Sequence, residues 1–576
     1  MCGIVGYIGD RPAGPILLEA LAALEYRGYD SAGVAVANGS LHIARRVGRV
    51  AELLGGADGL DRGATAGIGH TRWATCGAPT ERNAHPHADC AGRLAIVHNG
   101  IIENHLELRG GLERKGHVFR SETDSETLAH LIESHLRPGV PLLEATRRSL
   151  SEVHGSVAIV VVAGDLPRTL VAARVDSPLV LGLGRGETFV ASDMTALIPH
   201  TRRMVALDDG SLAELTAEGV RVIGLAGEER VAREIEVSWS QEAAEKGGYA
   251  DYMLKEIQEQ PVAVRETLRG RFDESGLVGL DELRLTEDEV REIDKVFVVA
   301  CGSSYHAGLV AKYAIERWTR LPVEIDVASE FRYRDPVLNG STLVVGISQS
   351  GETADTLAAV RYARLQGAKV VAITNVVGSS ITREAGGVFF TRAGPEVGVA
   401  ATKTLTTQMT ALCLLALWLA QVHGTIDPKT ASGVLDGLQA LPGQMEEVLA
   451  DDTLVREAAS RFGKAPIFLF IGRGVGYPVA LEGALKLKEI SYLHAQGFPA
   501  GELKHGPIAL LEDGVPVVAV ATRSHVQAKL LANLDEARAR GASVIAVANA
   551  GDPAVPDLAD VVLPVPATSE LLSPLL

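Results

Sequence analysis

Cysteine is scarce in this chain. Five cysteines among 576 residues, an odd number, exclude a disulfide framework and point to a reducing compartment. Basic charge is short as well. Lys and Arg total 55 against 72 Asp and Glu, a formal net charge of −17. Such a surface repels nucleic-acid backbones and anionic lipid at long range. No basic stripe marks a nucleic-acid face, so an anionic ligand needs a local site. The start, Met1-Cys-Gly-Ile-Val-Gly, has no basic n-region and no apolar run ending in a cleavage site, so no signal peptide is expected. The most apolar helical run, Met409 to Val422, falls short of the ~18–20 residues that span a bilayer. A cytoplasmic location is therefore expected. No Gly-Lys-Ser/Thr follows a phosphate-type loop, and no Gly-x-Gly-x-x-Gly occurs at the Gly-rich turns discussed below. His85-Pro-His87 with Cys90 has zinc-like residues but no second matched pair, so neither a metal nor a cofactor is expected.

What is present is ordinary for a folded protein. Hydrophobic residues make up 47% and charged residues 22%, which excludes extensive disorder. The length predicts three or four domains. Residues 1 to about 238 read as strands with a few helices, with strand candidates at Gly3–Ile8, Gly33–Ala37, Leu94–His98, Ser156–Val162 and Thr188–Ser192. Ser238 to Gln260 is charged, carries Gly247-Gly248 and stops at Pro261, which reads as a linker leading into a helix.

Beyond about residue 262 the pattern is apolar strand, Gly-rich turn, amphipathic helix, repeated. This predicts α/β units with parallel sheets. Lys295-Val-Phe-Val-Val-Ala-Cys-Gly302 is similar to Pro466-Ile-Phe-Leu-Phe-Ile-Gly472, and Gly367-Ala-Lys-Val-Val-Ala-Ile-Thr-Asn375 to Gly541-Ala-Ser-Val-Ile-Ala-Val-Ala-Asn549. The offsets, 170 and 174 residues, indicate two tandem domains of one fold. The expected boundaries are a first domain at 2–238, a linker at 239–262, α/β domains at 285–424 and 456–576, and a connector at 425–455.

The amino terminus carries one candidate chemistry. Removal of Met1 would leave Cys2 with a thiol and a free α-amino group. A thiolate nucleophile then sits beside an amine of pKa about 7.7–8.0, which can serve as its base. The alternative is a small buried residue opening a strand. Arg72, in His70-Thr-Arg-Trp-Ala-Thr75, is suited to grip a carboxylate with two parallel hydrogen bonds. Asn99 and Gly100, in a motif that closes an apolar strand, offer an amide and a backbone N–H as an oxyanion hole. Asp124, in Ser121-Glu-Thr-Asp-Ser-Glu126, either pairs with a substrate ammonium or caps a helix. Together these groups fit glutamine.

Met1-Cys-Gly-Ile-Val-Gly-Tyr, Leu24-Glu-Tyr-Arg-Gly-Tyr-Asp-Ser-Ala-Gly33, Arg72-Trp73, Asn83-Ala-His-Pro-His87 and Asn99-Gly100 resemble the class II glutamine amidotransferase domain. More narrowly, they resemble the glutamine–fructose-6-phosphate aminotransferase family, over nearly the whole chain. The resemblance implies an α+β N-terminal nucleophile (Ntn) αββα glutaminase domain followed by two α/β SIS domains with parallel sheets. It implies that Cys2 attacks the glutamine amide while Asn99 and Gly100 hold the oxyanion. Arg72 and Asp124 hold the amino-acid end, with Trp73 and His85 in or beside the pocket. Cys76 departs from the family, which usually has His there, and puts one pocket contact in question.

A second constellation lies in the α/β repeat. Val298-Val-Ala-Cys-Gly-Ser-Ser304 and Val344-Val-Gly-Ile-Ser-Gln-Ser-Gly-Glu-Thr353 both run from a strand through a hydroxylic turn into a helix. Backbone N–H groups and the helix dipole there suit a phosphate; the alternative is ordinary N-capping. The second copy reads Ala521-Thr-Arg-Ser-His525, so phosphate is expected in the first domain and not in the second. The SIS resemblance implies Ser303, Ser304, Ser348, Gln349, Ser350 and Thr353 around the phosphate, with Val399 nearby. Glu482, Lys486 and Glu489 share one helical face by spacing, which alone fits a solvated charged stripe. The resemblance implies Glu489 as isomerisation base, Lys486 beside it, and His505 assisting ring opening across a homodimer interface.

The implied reaction makes glucosamine 6-phosphate and glutamate from fructose 6-phosphate and glutamine, the first step towards UDP-N-acetylglucosamine. Ammonia would pass internally, with Trp73 and the linker near its path. The family carries a late imine-forming lysine, whereas the last lysine here is Lys529 and the sequence stops at Leu572-Ser-Pro-Leu-Leu576. That apolar end reads as an interrupted element, and a truncated sequence is expected. Two other readings remain: a fragment competent in glutaminase but deficient in synthesis, and a sugar-phosphate-sensing SIS protein that retains Met1. Asparagine synthetases and phosphoribosyl amidotransferases call for a Ser-Gly-Gly nucleotide loop or an acidic diphosphate motif, and neither is found.

Overall fold

The fold was read from a computed structural model that describes residues 2–54, 63–237 and 246–576. Two compact units divide the chain, Met1–Glu245 and Lys246–Leu576.

In the first unit, strand Gly3–Gly9 lies between antiparallel neighbours Ala66–Arg72 and Glu187–Ala191. Side chains alternate across a strand, and here both faces are covered. Ile4 and Ile8 meet Val97, Ala158, Val160 and Val162 of a second antiparallel sheet. Val5 and Tyr7 meet Leu17 and Leu21 of helix Ala13–Ala23. On the far side of the second sheet, Val157, Ile159 and Val161 pack against helices Glu126–His135 and Leu142–Leu150. The result is helix, sheet, sheet, helix, and it explains why the central strands are apolar at nearly every position. The expected strands are all present with slightly different ends. Asn99 and Gly100 do not close theirs: strand Leu94–Ile102 runs on, pairing Asn99 with Ala158 and Gly100 with Val157.

The second unit contains two five-stranded parallel sheets. The first orders Val323–Val327, Lys295–Ala300, Thr342–Ile347, Lys369–Thr374 and Gly387–Phe390. The second orders His494–Pro499, Ile467–Gly472, Pro516–Val520, Ser543–Asn549 and Val561–Val565. In chain order both read 2-1-3-4-5, as the internal repeat predicts. That order reverses direction between its two earliest inner strands, where α/β folds open a crevice for ligands.

Three expectations change here. Helix Tyr252–Leu268 begins inside the stretch expected to be linker and runs on through Pro261. Proline cannot bond the carbonyl four residues back, but Gln260 Nε2 donates to that carbonyl, Ile257 O, at 3.0 Å. Part of the expected linker is thus helix, and its Val264 joins the first α/β core; residues 238–245 lie outside the described residues. The connector holds a 22-residue helix, Pro428–Leu449, whose Leu438 and Leu441 are buried in that same core. Finally, the apolar run around Met409 extends to a 21-residue helix, Lys403–His423, long and apolar enough to cross a membrane but buried within the unit. The closing segment is also seated: Leu572 and Leu575 are buried in the first α/β core.

Candidate active sites

Cys2 stands at the entry of the central strand Gly3–Gly9. The Trp73 backbone N–H donates to its Sγ at 3.2 Å. Its carbonyl accepts from Asn99 Nδ2 at 2.9 Å and from Arg27 Nε at 3.1 Å. Burial pushes the Cys2 thiol up, against the lowering pull of the Trp73 N–H and the Arg72 and Arg27 charges. A thiol raised in this way keeps its proton unless a neighbouring base takes it. Met1, whose removal would expose that base, lies outside the described residues.

Asn99 is aimed by a buried histidine. His70 Nε2 lies 2.9 Å from Asn99 Oδ1 and 3.1 Å from His98 O. Both are acceptors, so Nε2 carries the proton and the Asn99 amide nitrogen turns to Cys2. Gly100 has φ +136°, and any Cβ there would lie 1.9 Å from Ser156 O, so glycine is obligatory at that position. Gly28 serves similarly by space alone: a Cβ would meet the Arg72 carbonyl carbon at 2.6 Å and Trp73 N at 2.7 Å.

The pocket side chains are locked in different ways. Arg72 is buried, and its guanidinium donates to the carbonyls of Cys76, Gly77 and Ala78. Its fork thus holds the loop after the strand. Trp73 is half-exposed and edge-on to Tyr29, with centroids 5.4 Å apart. Asp124 does not cap the helix it precedes; its Oδ2 accepts from Ile102 N–H at 2.9 Å. His85 is buried, stacks on His70 at 4.1 Å, and accepts from His98 N–H on Nδ1. Arg27 and His70 escaped the sequence reading as site residues. Arg27 lay within the quoted Leu24–Gly33 motif, which was the available signal.

Burial lowers the His70 pKa to about 3 and pushes His85 and His87 down too. All three are neutral at pH 7. Unfolding would return them to about 6.5, so below that value the unfolded chain binds protons that the folded one refuses. Stability is therefore present above about pH 6.5 and lost as pH falls towards 3, the value to which His70 and His87 are pushed. Calorimetry should show the melting temperature dropping between pH 7 and 5, with a shallower slope in His87→Gln.

In the second unit, the two hydroxylic turns leave neighbouring parallel strands at the crevice, where Ala300 is in register with Ile347. Helix Gly302–Thr319 begins at the first turn and carries Ser303 and Ser304; helix Ala354–Leu365 follows the second. Ser348 Oγ lies 2.8 Å from Thr353 Oγ1 and accepts from Gly351 N–H. Ser350 Oγ accepts from Glu352 N–H, and Gln349 O from Asn375 N–H. Val399 is half-exposed beside a backbone stretch, Val397–Gly398, whose N–H groups donate to buried Glu256.

The helix Gly476–Ser491 brings its charged face onto the first turn. Ser303 Oγ donates to Glu482 Oε1 at 2.7 Å and accepts from Lys486 Nζ at 3.0 Å. Lys486 also lies 3.3 Å from Glu482 and 2.5 Å from Glu489. His306 Nδ1 is 2.6 Å from Glu482 Oε2, a partner the sequence did not suggest. Burial raises the Glu482 carboxyl, but His306, Lys486 and Ser303 outweigh it and hold it below the usual range. With Glu482 8% exposed, this is no solvated stripe. His505 is exposed on the short turn Ala500–His505.

A model for the SIS domain family matches residues 289–418 and 464–574, and one for a glutamine amidotransferase domain matches 70–199. The glutamine–fructose-6-phosphate aminotransferase (isomerizing) of Symbiobacterium thermophilum is 53% identical over 578 residues, covering 100% of this chain and 95% of the relative. That of Methanosarcina acetivorans is 49% identical over 594 residues with the same coverages. Among solved structures, the C-terminal domain of glucosamine-fructose-6-phosphate aminotransferase from Francisella tularensis has a TM-score of 0.55 and 39% identity, covering 57% of this chain and 93% of that one.

Proposed function

The chain belongs to the glutamine–fructose-6-phosphate aminotransferase family, and on that premise we propose which of its residues do the work. The reaction moves the amide nitrogen of glutamine onto fructose 6-phosphate, giving glucosamine 6-phosphate and glutamate. Cys2 is the nucleophile and its own α-amine the base, once Met1 is gone. Asn99 and Gly100 stabilise the oxyanion. Arg72 and Asp124 fix the amino-acid end, the arginine by shaping the 76–78 loop it holds, and Trp73 and His85 line the pocket. The domains run 2–238, 285–424 and 456–576, joined by 239–262 and 425–455.

In the first SIS domain, Ser303, Ser304, Ser348, Gln349, Ser350 and Thr353 cradle the sugar phosphate, with Val399 beside it. Glu489 shuttles the proton between adjacent sugar carbons and Lys486 positions it. The observation that carries this reading is the path from Ser303 through Lys486 to Glu489. It links a phosphate turn to the carboxylate base through two short contacts. The test is to assay glutamate and glucosamine 6-phosphate release separately. Thr353→Val should raise the KM for fructose 6-phosphate about 10–100-fold, the worth of a hydrogen bond to a charged group, and leave glutamate release unchanged. An unaltered KM would remove Thr353 from the cradle.

We also infer a cytoplasmic homodimer in which His505 is offered to the neighbouring subunit's sugar. Light scattering should give twice the chain mass. His505→Ala mixed with Glu489→Gln should regain activity that neither has alone.

A further inference from the structure

Away from the glutamine pocket, four ligating side chains in the first unit converge on one point. Cys90 lies in the turn before strand Leu94–Ile102, His117 follows helix His105–Arg114, and His130 and Glu133 sit one turn apart on helix Glu126–His135. Their Sγ, Nδ1, Nδ1 and carboxylate oxygen atoms all lie within 4.8 Å of one another. Cys90 Sγ is 3.6 Å from His117 Nδ1 and 3.4 Å from His130 Nδ1. Glu133 Oε2 is 3.0 Å and 3.3 Å from the same two nitrogens.

We propose that Cys90, His117, His130 and Glu133 form a structural zinc site. Tetrahedral zinc, with bonds of about 2.3 Å to sulfur and about 2.0–2.2 Å to nitrogen and oxygen, requires S–N edges of about 3.6 Å and N–O edges of about 3.4 Å. Three of the four separations fall within about 0.2 Å of those edges, and the Glu133–His117 separation of 3.0 Å is the one shorter contact. Hydrogen bonding explains the arrangement less well. Glu133 Oε2 would take both imidazoles and the Cys90 N–H at 3.2 Å, and the thiol, which accepts from the Val118 N–H at 3.5 Å, would still face the Nδ1 atoms of both rings.

The donor set selects the metal. One thiolate, two imidazoles and one carboxylate suit zinc over magnesium or calcium. Four protein ligands close the coordination shell, which marks a structural and not a catalytic ion. The surroundings are prepared for it. The far nitrogen of His130 faces Glu126 Oε1 at 3.6 Å. Glu126 is itself fixed by the Arg120 and Ser121 N–H groups. A carboxylate behind a ligating histidine orients the ring and strengthens it as a donor. Binding takes the thiol proton from Cys90 to solvent as the Zn–S bond forms, so affinity falls with falling pH.

The site revises the expectation of no metal, and it does not use the residues that spacing suggested. His85 stacks on His70, and His87 Nε2 lies 3.0 Å from Thr123 Oγ1; only Cys90 of that trio is a ligand. Its consequence is mechanical. A zinc ion would tie a hairpin turn and a loop to the helix that follows Asp124.

The full-length protein, purified without chelator, reconstituted with zinc and desalted, should hold about one zinc per chain by mass spectrometry. Cys90→Ser and His117→Gln should lose it, while Cys76→Ser keeps it. Cobalt(II) exchanged into the unaltered protein should show a thiolate-to-metal charge-transfer band and the intense visible bands of a tetrahedral ion. This second arm needs no variant to fold. Chelation should lower the melting temperature, and zinc should restore it. Zinc-free protein after reconstitution, undiminished zinc in Cys90→Ser, or cobalt without the thiolate band would each overturn the proposal.

Discussion

Cys2→Ala is expected to cut glutamate release from glutamine by about 10³-fold or more, because removal of a covalent nucleophile deletes the acylation step itself. That loss corresponds to roughly 4 kcal/mol of barrier or more. The residual machinery would still bind glutamine. Asn99 stays oriented by His70, and the Arg72-held loop does not involve the sulfur. The KM for glutamine analogues should therefore change little while turnover collapses. Isomerisation of fructose 6-phosphate, proposed above to use residues of the second unit, should persist. Separate assays of glutamate and of hexose 6-phosphate isomerisation check both halves. Glutamine cleavage at an undiminished rate would dismiss Cys2 as nucleophile. Cys2→Ser probes the base: the hydroxyl occupies the same seat by the Trp73 N–H but is a far weaker nucleophile near neutrality, so its activity should fall close to that of the alanine variant.

The parts of this molecule legible in sequence are those written within a single short segment. Apolar runs, alternating or continuous, that end at or near Gly, Asp or Asn mark the strands, and two copies offset by about 170 residues mark two sheets of equal topology. The proposed pairing of a nucleophile with its own amine is written in one residue, Cys2. Contacts between distant segments were not legible. Glu482 and His306 are 176 residues apart, and nothing local to either marks the other. The zinc ligands come from three separate elements, so no spacing rule joins them. Pro261 reads as the end of a linker until the helix is seen to run through it, with the Gln260 side chain donating to the carbonyl that the missing N–H leaves free. Arg72 was legible as a carboxylate grip from its chemistry. Its actual partners are carbonyls four to six residues ahead, a use of the same fork that only the loop's path reveals.

Glu489→Gln tests the other end of the reaction. The amide keeps the volume and a hydrogen bond but cannot accept a proton, and general-base catalysis contributes about 10²–10⁴-fold. Isomerisation and glucosamine 6-phosphate formation should fall by that factor, while glutamate release is retained. Glu482→Gln separates the base from its support. Glu482 holds Ser303, His306 and Lys486 at once, and as a buried carboxylate facing a cation it cannot be neutralised without cost. Its loss should loosen Lys486 and the first phosphate turn together, raising the KM for fructose 6-phosphate as well as lowering turnover. Glu489→Gln, which leaves Ser303 and Glu482 in place, should lower turnover with the KM nearly constant. Isomerisation unchanged in Glu489→Gln would move the proton transfer to another group. A KM that rises equally in both variants would make Glu489 a positioning residue like Glu482.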